Sequence, residues 1–131
     1  MIRDLRMIKD SDEIEALRRA GAAIDRVHAR MGEWLRPGRT EAQVAADISA
    51  AIIAEGHTEA AFVIVGSGPH GADPHHEVSD RVITTGDIVV IDIGGPVEPG
   101  YNSDSTRTYS IGDPDPAAAE KIALLEAAQQ A

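Results

Sequence analysis

With 131 residues and 22 acidic against 12 basic side chains, giving a net charge of −10, the chain has room for one domain with one modest core. Such a surface repels duplex nucleic acid and anionic membranes, and no basic stripe offsets it. The absence of cysteine excludes disulfides, thiolate metal sites and thiol nucleophiles, and fits a reducing, cytoplasmic setting. The longest apolar stretches, residues 60–65 and 88–91, are far too short to span a bilayer.

The first predicted element is a helix opening at Asp10, where Glu13 three residues later completes a capping box. Ile14, Leu17, Gly21, Ile24, His28, Met31 and Leu35 follow at alternating spacings of three and four as its buried stripe, and Pro37-Gly38 ends it. Thr40 opens a second helix, with Gln43 answering the cap and Val44, Ile48, Ala51 and Ile52 facing inward; Gly56 stops it. The pattern then changes period. Residues 61–65 predict a short strand, residues 66–73 a loop, and residues 81–84 a second short strand. Residues 88–93 (IVVIDI) predict the strongest strand, followed by a wide turn over residues 94–100 and a return strand over 101–111. Pro116 suits the first turn of a last helix. That helix carries no glycine, proline or basic residue in its final turn, so the sequence is expected to stop within it.

Two groups of residues carry chemistry. Asp92 lies within an apolar strand, where an ionised carboxylate is costly without a compensating positive charge. Asp104 lies on the return strand, and a hairpin can set two such carboxylates on one face, where a divalent cation relieves their repulsion. Pairing of Arg107 with Asp104, leaving Asp92 at a sheet edge, accounts for the same residues without a metal. The second group is GSGPHGADPHH, residues 66–76. Its Gly66, Gly68 and Gly71 fit G-x-G-x-x-G, but Pro74, His75 and His76 follow where a dinucleotide site needs a helix. His28 falls on the buried stripe and reads as a core histidine, and His57 as a group serving the end of the second helix.

Asp92-Ile93-Gly94, followed by Gly100-Tyr101 and Asp104-Ser105-Thr106-Arg107-Thr108, resembles the signature of the prolidase, aminopeptidase P and methionine-aminopeptidase family. The resemblance covers nearly the whole chain, and its one departure is a turn between the aspartates a residue longer than the usual pattern. It implies an α/β (α+β) pita-bread half-domain, residues 1–131, with an antiparallel sheet and two N-terminal helices packed on one face. It implies a metal-dependent exopeptidase acting on small peptides, of the Xaa-Pro dipeptidase or aminopeptidase type. A methionine aminopeptidase and a non-catalytic binding half-domain are the alternatives. Asp92 and Asp104 correspond to ligands of two divalent ions (manganese, cobalt, zinc or iron), with Asp104 bridging. One histidine and two glutamates from a second half complete the family's site, so this segment alone is expected to be inactive and to bind metal weakly. His75 corresponds to a catalytic, substrate-facing histidine, with His76 beside it as a further substrate contact. A half-domain of this kind is also expected to cover its open sheet by forming a homodimer.

Overall fold

The computed structural model describes residues 2–131, and its order of elements follows the change of period in the sequence. A short helix, α1 (Ile2–Met7), precedes the predicted ones. Helix α2 (Ser11–Ala29) starts at the expected capping box, with the Glu13 amide on Asp10 and the Asp10 amide on Glu13, both at 2.9 Å. It ends earlier than predicted. Arg30 leaves helical geometry, and a tight turn at Met31–Glu33 around Gly32 carries Met31 into the core. Helix α3 (Glu41–Ala54) has the reciprocal Thr40–Gln43 cap and stops at Gly56, whose φ of 110° only glycine adopts readily.

Among the described residues, β1 (Phe62–Ser67), β2 (Ile88–Val97) and β3 (Tyr101–Ser110) form one antiparallel sheet in the order β1-β2-β3. Helices α2 and α3 lie on one face of it. Val89, Ile91 and Ile93 of β2 point into that layer and meet Ile24 and Val27 of α2 and Val44, Ile48 and Ile52 of α3. Burying this set contributes on the order of 1.5–3 kcal/mol per large aliphatic side chain. Helix α4 (Pro116–Gln130), capped by Asp115, buries no side chain, and Leu124 and Leu125 stand exposed.

Three expectations need correction. The face of α2 toward the sheet is Ala16, Ala20, Ala23, Ile24 and Val27, while Ile14 and Leu17 are exposed at 41% and 38%. Alanines let the helix axis approach the sheet, so the larger residues fall to its flank. Residues 81–84 form no strand. Val82 makes one bridge to Thr40, and Ile83 exchanges backbone hydrogen bonds with Gly38 and Arg39, pinning the segment to the α2–α3 connection. The predicted wide turn at 94–100 is mostly strand, since β2 runs to Val97 and leaves only residues 98–100 to turn. Gly94 and Gly95 serve close approach instead. A Cβ on Gly94 would stand 2.3 Å from the Ser103 carbonyl oxygen and 2.7 Å from the Phe62 ring, and one on Gly95 would stand 2.2 Å from the Glu59 carbonyl oxygen.

This packing predicts that Gly94→Ala destabilises the domain by about 1–3 kcal/mol through overpacking between two strands. Chemical denaturation checks it, and an unchanged midpoint contradicts it.

Candidate metal centre and the histidine loop

The hairpin register sorts the acidic residues. Asp92 lies opposite Thr106 and Asp104 opposite Gly94, so the two aspartates are diagonal neighbours on one face. Since residues 89, 91 and 93 face the helices, this is the other face, shared with Ile64 and Gly66 of β1 and Val90 of β2. Thr106 donates its hydroxyl to Asp92 Oδ1 at 2.7 Å and so orients that carboxylate. Asp104 is exposed and makes no hydrogen bond or ion pair among the described residues. Arg107 lies opposite Ile91, on the helix-facing side, where its guanidinium meets Asp25 of α2 at 3.7 Å. Pairing of Arg107 with Asp104 is thereby ruled out. Two hard oxygen donors on one face, one steadied by a hydroxyl and one without a partner among the described residues, suit divalent cations.

The loop after β1 folds over that same face. A tight turn at Gly68–Ala72 begins at Gly68, where φ is +53° and a Cβ would come within 2.7 Å of the Arg81 guanidinium. Gly71, Ala72, Asp73 and Pro74 then roof a 260 Å³ pocket whose floor is Ile64, Val90, Asp92 and Thr106. His75 follows Pro74 directly and is exposed, its backbone N–H on Asp73 Oδ1 at 2.9 Å. No helix follows the glycines, which removes the dinucleotide reading of residues 66–71. A 490 Å³ recess elsewhere, between Asp10, Glu13, Arg19 and Tyr101, holds no histidine and none of these loop residues.

His76 turns the opposite way from the open face of the loop. Its Nε2 lies 2.8 Å from Oε2 of Glu41, a residue with no exposed surface at the start of α3. His70 Nδ1 meets the same carboxylate at 3.0 Å, and the two imidazoles lie tilted by 32° with centroids 4.2 Å apart. The backbone N–H and hydroxyl of Ser67 reach Oε1 at 2.9 and 2.6 Å, and those of Ser79 reach Oε2 at 3.2 and 2.7 Å. Burial alone would raise the Glu41 carboxyl, but the donors from Ser67, His76 and Ser79 together outweigh it and bring it from 4.5 down to about 2. An ionised carboxylate only accepts, so the protons sit on His70 Nδ1 and His76 Nε2. Glu41, His70 and His76 are close enough to hold a metal ion. The Glu41 carboxylate oxygens, however, are already occupied by protein donors, which a metal would have to displace. Arg81 completes the cluster with 2.7 and 2.9 Å contacts to Asp87 and one to the Ser67 hydroxyl at 2.6 Å.

The remaining histidines are structural. His28 bonds Tyr109 at 2.9 Å, and His57 joins the Ile52 carbonyl of α3 to the Ser103 hydroxyl at 2.7 Å. Burial lowers the pKa of both. Glu41 was the residue missed by sequence reasoning. Its signal was there, because it continues the inward-facing stripe of Val44, Ile48 and Ile52 where a charge should not stand.

Comparison with known proteins fits this geometry. The model of metallopeptidase family M24 matches residues 15–131. A probable dipeptidase PepE of Mycobacterium tuberculosis is 68% identical over 131 residues, which cover 100% of this chain and 35% of that protein. The crystal structure of dipeptidase PepE from Mycobacterium ulcerans superposes with a TM-score of 0.96 at 68% identity, over 99% of this chain and 35% of its own. An X-Pro aminopeptidase from Thermotoga maritima superposes with a TM-score of 0.91 at 36% identity, over 98% and 37%. The chain thus spans about a third of the length of the relatives it matches, and its fold is that of the pita-bread half-domain in these peptidases.

The depressed Glu41 carboxyl sets a pH dependence. Its ionised form is favoured by the fold, so the contribution is complete above pH 4.5 and is lost as pH falls through about 2. At about 1.4 kcal/mol per pH unit, wild type should lose roughly 2 kcal/mol of stability between pH 6 and pH 3 beyond what Glu41→Gln loses. Urea unfolding at pH 6 and pH 3 tests this, and identical losses in the two proteins contradict it.

Proposed function

This chain belongs to metallopeptidase family M24, and from that premise we propose that its 131 residues are the N-terminal half of a pita-bread catalytic domain. In this reading the complete domain removes the N-terminal residue of small peptides in the manner of an Xaa-Pro dipeptidase or aminopeptidase. The observation that carries it is the pair Asp92 and Asp104 on one face of the β2–β3 hairpin, away from α2 and α3, with the Asp104 carboxylate making no hydrogen bond or ion pair among the described residues.

Asp92 would ligate one divalent ion and Asp104 would bridge two, with manganese, cobalt, zinc or iron all compatible with such oxygen donors. Bound ions would supply Lewis acidity and lower the pKa of an attacking water. The chain's own residues handle the peptide. Thr106 holds Asp92 in one orientation. Ile64, Val90 and Pro74 give the adjoining pocket apolar walls that exclude water and accept a small apolar group. His75, exposed next to Pro74 of the pocket roof, can donate to the carbonyl oxygen of the scissile bond or relay a proton. His76 spends Nε2 on Glu41 and keeps only its Nδ1 edge for a substrate.

Among the described residues no helix is long and apolar enough to cross a membrane, and a cytoplasmic location is part of this reading. So is self-association of the 131-residue chain. Strands β1 and β3 are the sheet's edges, and Leu124 and Leu125 of α4 present uncovered apolar surface that a second copy would bury. Sedimentation equilibrium over a tenfold concentration range should show a reversible dimer; a folded monomer throughout contradicts the pairing.

In the complete catalytic chain, Asp104→Asn should lower kcat/KM for an Xaa-Pro dipeptide on the order of a thousandfold, and further than Asp92→Asn, because a bridging ligand serves both ions. Steady-state kinetics with excess manganese checks this. Near-wild-type turnover in either variant removes the metal reading.

A further inference from the structure

The loop that carries His75 has no hydrophobic anchor. From Gly68 to Asp80 no side chain is fully buried, and Val78, its largest aliphatic residue, is 38% exposed. A segment with so little apolar burial should be mobile unless polar contacts fix it. The polar contacts that fix this one converge on a single carboxylate. Ser67 enters the loop, His70 lies in its first turn, His76 adjoins His75, and Ser79 leaves it; all four bond to Glu41. Glu41 is itself held by the first turn of α3, where its amide reaches the Arg81 carbonyl at 3.1 Å and the Ala42 amide reaches the Ser79 carbonyl at 3.0 Å. His75 is thus a single peptide unit from a residue pinned to a buried carboxylate. On its other side, Pro74 and Asp73 roof the pocket over Asp92.

We propose that Glu41 is a positioning residue for the peptidase site: its carboxylate holds the 66–79 loop in the one conformation that sets His75 beside the Asp92 pocket. This deepens the metallopeptidase reading and rests on it for the role of His75. The chemistry suits the task. A carboxylate offers about four lone-pair directions and can collect donors from the two limbs of a loop, whereas an amide offers one acceptor oxygen and turns an N–H toward groups that also donate. Glu41→Gln therefore keeps the volume of the side chain and loses the convergence. Because a displacement of about 1 Å at a catalytic group can cost on the order of a hundredfold, the effect should reach the reaction through His75.

Amide hydrogen exchange on the 131-residue chain, without metal or peptide, reads the anchoring directly. In Glu41→Gln, the amides of Ser79, His75 and His76 should exchange at least about tenfold faster while those of Ile91 and Ile93 stay within about twofold. If Glu41→Gln does not fold, Ser79→Ala, which removes one donor and keeps the charge, should give the same local pattern at smaller size. Unchanged loop protection, or acceleration spread equally over loop and core, overturns the proposal. In the complete enzyme, Glu41→Gln should lower kcat about tenfold or more with little change in KM, and should cost less than about threefold when His75→Ala is already present. Equal cost in both backgrounds assigns Glu41 a general structural role and overturns the positioning. These outcomes differ from failure of the metal reading, which shows as retained activity in the Asp92 and Asp104 variants whatever the loop does.

Discussion

Strict alternation along β2 decides which parts of this molecule are core and which are site. Val89, Ile91 and Ile93 are committed to the helix-covered face, and the two-residue period then forces Val90 and Asp92 to the opposite side. Pairing with β3 repeats the division, sending Ser103 and Tyr109 inward and Asp104, Thr106 and Thr108 outward. A one-residue slip would bury both aspartates against α2. The large free-energy penalty of that alternative is what keeps two carboxylates together on an accessible surface.

The open face would be a flat sheet without the loop that crosses it, and the loop depends on an interaction of a different kind. Its polar residues cannot pack, so a buried charge gathers them. Burying Glu41 is favourable only because its oxygens are met by donors from both limbs of the loop. The same arrangement explains why a group of one glutamate and two histidines with metal-ligand spacing is better understood as a hydrogen-bonded junction. Arg81 and Asp87 extend this junction to the turn before β2, so the loop, the sheet and the start of α3 are positioned as one unit.

Much of this was legible from local signals. Both capping boxes, the 88–93 strand, its return strand and the aspartate pair depend on residues close in sequence, where period and capping chemistry suffice. What was not legible depends on distant partners. The alanine face of α2 is chosen by how near the helix lies to the sheet, and the aliphatic stripe Ile14–Leu17 misleads because it flanks that contact. Gly94 and Gly95 read as turn residues, but the demand on them comes from Ser103, Phe62 and Glu59. Glu41 could have been suspected from its place on an apolar stripe, yet the residues that neutralise its cost lie 26 to 38 positions away.

Divalent cations are expected on the face bearing Asp92 and Asp104 rather than at the histidine cluster. Paramagnetic broadening by manganese, followed in amide NMR spectra of the 131-residue chain at substoichiometric metal, separates the two. Broadening is expected to centre on Asp92, Asp104 and Thr106, with the Ser67 and Ser79 amides beside Glu41 less affected. Broadening centred on His70, His76 and Ser79, with the hairpin spared, would contradict it.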